Sequence, residues 1–137
     1  MTVTADTSVV VPSLLDWHEH HAVAQEAVED VHRLPAHVLA EAFSVLTRLP
    51  HGLSLRPGDA AELLLEAFPG EPLALPPVGY PAVLRRLAAA GLRGGAVYDG
   101  LVAASAAHAE ARLLTADARA AGTYRALDAT FEVLTLP

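Results

Sequence analysis

The sequence predicts an α/β fold: a short-stranded parallel sheet covered by helices. Three observations predict it. Short apolar or β-branched runs at residues 2–6, 112–115 and 131–136 alternate with longer segments of helical period, the pattern of strand–helix–strand crossovers. The chain has 137 residues, 53% of them hydrophobic, enough for one sizeable core and one domain spanning residues 1–137. Two acids, Asp6 and Asp117, follow the ends of predicted strands, where parallel sheets gather ligands.

The elements follow in order. Residues 2–6 form the first strand, with Thr7 or Ser8 as N-cap of a helix through Val9 to about Leu15. A second helix is expected over 19–31 and a third over 36–48, after Arg33-Leu34-Pro35. The third carries Val38, Ala42, Val45 and Leu49 on one face, and the i+3 and i+4 spacings place Glu41 with that apolar face. Arg56-Pro57-Gly58-Asp59 opens a fourth helix over 60–68, stopped by Pro69-Gly70. Residues 72–75 are a weak strand candidate, and 81–90 a helix closed by Gly91. Gly94-Gly95 then starts a helix over 96–109 with Asp99 in its first turn, where the macrodipole favours negative charge by roughly 0.3–1 kcal/mol. Residues 112–115 form a strand, 118–127 a helix and 131–136 the last strand.

Composition removes several chemistries. With no cysteine there are no disulfides, thiolate metal sites or cysteine nucleophiles. All nine basic residues are Arg, so the P-loop lysine and lysine Schiff bases are excluded. A net charge of −7 argues against tight nonspecific nucleic-acid binding through a basic surface. It leaves room for an enzyme that meets RNA at a small metal site. Asp6 interrupts the short apolar start, no basic n-region precedes it, and no apolar run is long enough to span a bilayer. The expected location is the cytoplasm, with no membrane partner.

Four acids carry the functional reading: Asp6, Glu41, Asp99 and Asp117. Each sits where a core or strand end should be apolar, and an ionised carboxylate there is costly unless neutralised. Four acids converging from separate elements repel one another, and a divalent cation relieves that repulsion. Hard oxygen donors suit Mg²⁺ or Mn²⁺ better than zinc. Asp6 and Asp117 also read as helix caps, and Glu41 and Asp99 as structural acids paired with arginine. The histidines of Trp17-His18-Glu19-His20-His21 lack metal-site spacing and read as an exposed helix start.

The layout resembles the PIN-domain ribonucleases, specifically the VapC-type toxins of bacterial toxin–antitoxin pairs. The resemblance spans essentially the whole chain. It rests on Asp6-Thr7-Ser8, on Glu41 in Ala40-Glu41-Ala42, on Tyr98-Asp99 followed by Leu101-Val102-Ala103-Ala104, and on Thr115-Ala116-Asp117. The acids stand 35, 58 and 18 positions apart. The resemblance implies a PIN-like three-layer α/β/α sandwich and an endoribonuclease using Mg²⁺ or Mn²⁺ held by those four acids. Implied products are a 5′-phosphate and a 3′-hydroxyl. Ser8 and Thr115 would be hydroxyls that orient the carboxylates. The implied partners are an RNA substrate, a small antitoxin occupying the groove, and a second copy in a homodimer. Ala116 departs from the polar or basic residue often found there, and its methyl offers no phosphate contact. Arg85, Arg86, Arg93 and Arg119 are the remaining candidates for phosphate contacts.

Two rival functions remain open from the sequence. One is a catalytically silent PIN fold that only binds or regulates. The other is a phosphatase with Asp6 as nucleophile, against which stand Ser8 where a second Asp is usual and the missing lysine.

Overall fold

The computed structural model describes residues 1–136. Its elements are β1 (Thr2–Ala5), α1 (Thr7–Leu14), α2 (His21–Ala27), α3 (Ala36–Thr47), α4 (Pro57–Ala67), α5 (Gly79–Ala89), α6 (Ala96–His108), β2 (Ala111–Thr115), a 3₁₀ turn (Ala118–Ala120), α7 (Ala121–Ala126) and β3 (Phe131–Val133). The three strands form one parallel sheet in the order β1-β2-β3, joined by helical crossovers as the alternation predicts. This is the expected α/β architecture, reduced to its shortest sheet. No helix among the described residues is long and apolar enough to cross a membrane.

The core forms where the sheet meets α1, α3 and α6. Thr4, Ala5, Leu113 and Leu114 are buried on the sheet, Val9 and Val10 on α1, Val38, Ala42 and Leu46 on α3, and Val102, Ala103 and Ala106 on α6. Thr4, buried and polar, donates from its hydroxyl to the Arg33 carbonyl at 2.9 Å. Helix α6 packs on α5 through Gly100, where an added Cβ would lie 3.1 Å from the Leu87 side chain. That close approach seats the first turn of α6, and Asp99 with it.

Several boundaries differ from the sequence reading, each for a local reason. Asp6, rather than Thr7 or Ser8, is the N-cap of α1, because its carboxylate accepts from the Ser8 N–H. Helix α2 is much shorter than residues 19–31. A compact turn, with the His18 N–H on the Leu15 carbonyl and the His21 N–H on the His18 carbonyl, occupies its expected start. At the other end Glu26, Glu29 and Asp30 oppose the helix dipole. The candidate strand at 72–75 is a single bridge between Leu73 and Pro35, since prolines on both sides remove ladder donors. β3 ends at Val133 with one further bond, from the Leu134 N–H to the Thr115 carbonyl, because its partner strand ends there. Gly91 closes α5 as expected, at φ +72.

Candidate active site

Parallel pairing decides where the first and last acids meet. Ala5 lies opposite Leu114, and the Asp6 N–H donates to the Leu114 carbonyl at 3.0 Å. Both segments therefore leave the sheet on the same edge, one into α1 and the other into the 3₁₀ turn.

Hydroxyls tie that edge together. Asp6 Oδ1 accepts from the Ser8 N–H at 3.0 Å and from Ser8 Oγ, and Asp6 Oδ2 accepts from the Tyr124 hydroxyl at 2.6 Å. Ser8 Oγ accepts in turn from the Ala116 N–H at 2.8 Å and lies 3.4 Å from Thr115 Oγ1. Thr115 Oγ1 accepts from the Asp117 N–H at 3.0 Å. Asp117 caps the 3₁₀ turn, its Oδ1 accepting from the Arg119 N–H at 3.0 Å and from Arg119 Nε at 3.3 Å. Asp6 and Asp117 are thus caps, and both also line the cavity described next.

Asp6, Glu41, Asp99 and Asp117, from four separate segments, line one cavity of about 380 Å³. Glu41 does not share the fully buried face of α3. Its side chain is 42% exposed and lies 3.5 Å from His37 Nε2, one turn earlier. Asp117 has Arg119 beside it, whereas no cationic side chain lies within ion-pair distance of Asp6 or Asp99 among the described residues.

The electrostatics follow. Burial pushes the Asp6 carboxyl above its ordinary pKa, opposed by hydrogen bonds from Ser8, Thr115 and Tyr124. Asp99 is raised first by burial and then by the charges of Glu41, Asp6 and Asp117, with His37 pulling the other way. Its first-turn position in α6 does not overcome these effects. Tyr124 is raised by burial and by the neighbouring Asp6 charge, so its phenol stays protonated and donates.

The donor set fits a hard divalent cation in two respects. Its four carboxylates and its hydroxyls are hard oxygen donors around a self-repelling centre, with His18 the one imidazole among the described lining residues. Thr7, which lines the cavity, has a buried hydroxyl with no hydrogen-bond partner among the described residues. Among those residues no three acidic or imidazole groups close into a ready-made ligand cage. Gathering an ion there therefore requires rotation of side chains, which the partly exposed Glu41 and Asp99 can make.

The arginines divide. Arg86 spans from α5 to the segment after α7, with Nη2 on Asp128 at 2.7 Å and on the Ala126 carbonyl at 2.9 Å, so it is committed to holding the fold. Arg119 stands beside Asp117 with its side chain in solvent, outside the cavity lining. Arg85 and Arg93 are exposed and line no part of the acid cavity.

Three contributors escaped the sequence reading. Tyr124 is 118 positions from the Asp6 it binds, and only its place in the amphipathic closing helix marked it as inward-facing. His18 lines the acid cavity instead of sitting on an exposed helix start. His37 approaches Glu41 at an i, i+4 spacing that was available in the sequence, and its ring stacks on that of Tyr98 at 5.2 Å. Replacing Tyr124 by Phe keeps the ring and leaves Asp6 Oδ2 short of a donor. The expected cost is about 1–2 kcal/mol, read from denaturant unfolding.

Comparison with known proteins places this geometry. The PIN domain family pattern matches residues 3–126. The chain is 48% identical over 124 residues to Ribonuclease VapC27 of Mycobacterium tuberculosis, covering 89% of each protein. It is 38% identical over 133 residues to Ribonuclease VapC40 of the same species, covering 97% of this chain and 99% of that one. FitAcB from Neisseria gonorrhoeae shares the fold at TM-score 0.64 and 22% identity, over 95% of this chain and 96% of that one. FitAB bound to an IR36 DNA fragment superposes at TM-score 0.67 and 25% identity, over 96% and 94% respectively.

Proposed function

This chain belongs to the PIN-domain family, and we propose that it is a Mg²⁺- or Mn²⁺-dependent endoribonuclease acting as the toxin of a type II toxin–antitoxin pair. The observation that carries this reading is the convergence of Asp6, Glu41, Asp99 and Asp117 on one cavity at the carboxyl edge of the sheet. Two relatives named as ribonucleases, matched over most of their length, support the substrate class.

Asp6, Glu41, Asp99 and Asp117 would hold the cation. Bound there, it would supply Lewis-acid polarisation of a phosphate and a water acidified toward neutral pH. The residues contribute the rest. Ser8 and Tyr124 fix the Asp6 carboxylate from both oxygens, so its direction is set before substrate arrives. Thr115 fixes the backbone at Asp117. The partly exposed Asp99 and Glu41 can turn toward an ion or accept a proton from attacking water. Arg119 is the arginine placed to meet a phosphate beside Asp117, with Arg85 and Arg93 further out along an RNA strand. Single-stranded or looped RNA suits a cavity of this size, because its backbone can be splayed into it.

An Asp6-nucleophile phosphatase has less support, since both Asp6 oxygens already accept hydrogen bonds and 6% of the residue is exposed. A cytoplasmic location, a small antitoxin laid over the acid cavity and a homodimer complete the proposal.

The test is incubation of the purified protein with total RNA, with Mg²⁺, with Mn²⁺ and with chelator. Discrete fragments ending in 5′-phosphate and 3′-hydroxyl are expected only with metal. Equal cleavage in chelator would remove the metal, and intact RNA under every condition would remove the nuclease.

A further inference from the structure

His18 is the imidazole that lines the acid cavity, and it comes from the turn between α1 and α2. Its Nδ1 accepts a hydrogen bond from the His20 backbone N–H at 3.1 Å. An accepting Nδ1 carries no proton, so in this arrangement the ring is neutral and its hydrogen sits on Nε2. Two aromatic neighbours flank the ring. The Trp17 ring lies 6.0 Å from it and the His20 ring 5.6 Å, both tilted. Nε2 makes no hydrogen bond or ion pair with any described residue.

We propose that His18 is a substrate-binding residue of the ribonuclease site, a neutral donor whose Nε2–H meets a non-bridging phosphate oxygen of RNA in the acid cavity. The inference rests on the ribonuclease reading and adds a residue to it. A neutral donor suits this cavity better than a cationic one. A protonated imidazole or a guanidinium would be drawn into an ion pair with the surrounding carboxylates, as Arg119 is with Asp117. A neutral N–H keeps its hydrogen for the substrate and adds no charge competing for the acids. The same tautomer makes His18 a poor general acid, since loss of the Nε2 hydrogen would leave an imidazolate. Its contribution is therefore hydrogen bonding to charge that grows on the phosphate oxygens as the bond breaks.

The test separates this contact from a purely structural turn. In His18→Asn the side-chain oxygen can accept from the N–H two residues on, as Asx turns do, so the turn is kept. The shorter amide withdraws the donor from the cavity. The probe is a short RNA containing the strongest site that the wild-type protein cuts, made with oxygen or with sulfur at either non-bridging position of the scissile phosphate. For the oxygen substrate kcat/KM should fall roughly 10- to 100-fold, the range expected for a hydrogen bond to a charged group. For one sulfur diastereomer the penalty relative to oxygen should shrink in His18→Asn, because the contact it disturbs is already gone. This ratio does not depend on the fraction of folded enzyme, so partial unfolding cannot imitate it. His18→Gln, whose amide N–H₂ reaches about as far as Nε2, should recover part of the rate and of the sulfur penalty. Wild-type-like rates in His18→Asn, or the same sulfur penalties in both proteins for both diastereomers, would overturn the proposal while leaving the ribonuclease intact. A wild-type chain that cuts no RNA with either metal would overturn both.

Discussion

Replacing Asp99 by Asn should abolish nearly all metal-dependent RNA cleavage while making the metal-free protein more stable at neutral pH. Both effects come from one charge. Asp99 is the acid raised by burial and by the three other carboxylates together, so its ionised form is the most strongly opposed by its neighbours. Asn has the same shape and no charge, and therefore removes the repulsion and the cation's ligand at once. The rate loss should be about 10²–10³-fold or more, the scale seen when one preorganised electrostatic group is removed. Stability and activity moving in opposite directions is the signature of a functional acid. A structural acid would lose stability on the same change. If Asp99→Asn both destabilises the metal-free chain and cleaves RNA normally, Asp99 is not part of the site.

The second large effect is the exchange between protons and divalent cations in setting stability. Asp6 and Asp99 both have folded-state pKa values above the ordinary 3.8. The folded state therefore binds protons more tightly at these groups than the unfolded chain does. Their contribution is most favourable below that ordinary value and is lost as pH rises through the raised folded values. In metal-free buffer the stability gap between Asp99→Asn and wild type should be near zero in acid and widen toward neutral pH. Adding Mg²⁺ or Mn²⁺ should then stabilise the wild-type protein, by about 2.7 kcal/mol at a hundredfold excess over the dissociation constant. At low pH, where protons hold the carboxylates, that gain should vanish. Thermal unfolding across pH, with and without each metal, reads all of these changes. A cation effect equal in wild type and Asp99→Asn would mean that the ions bind elsewhere.

Much of the fold was legible because its signals are local. The crossovers, the caps at Gly91 and Pro57, and the three strand positions follow from periodicity and punctuation within a few residues. The errors arose where a boundary depends on what lies across the sheet. Nothing near residues 134–136 says that the partner strand stops at Thr115. Nothing near residues 72–75 says that they meet Pro35 at a single bridge. The α1–α2 turn was misread because its bonds link backbone groups that a helix of the same composition would also pair.

The candidate site divides along the same line. Asp6 and Asp117 were visible one at a time, because a carboxylate at a strand end is anomalous in its own neighbourhood, whereas Glu41 lies off the buried face of α3 that the spacing assigned it. Tyr124 and His18 were not visible, because an aromatic in an amphipathic helix and a histidine in a polar stretch are ordinary wherever they occur.

What the sequence by itself determined is the chemistry on offer: carboxylates without cysteine or lysine, placed on an alternating strand–helix chain that must fold into a parallel sheet. The tertiary structure alone decided which side chains confront those acids. Tyr124, 118 positions along the chain, holds Asp6, and His18 lines the cavity with an open Nε2. The reason is physical. Whether a residue is anomalous depends on its immediate neighbours along the chain, while its burial, its pKa and its distant partners depend on groups that only packing brings within a few ångströms.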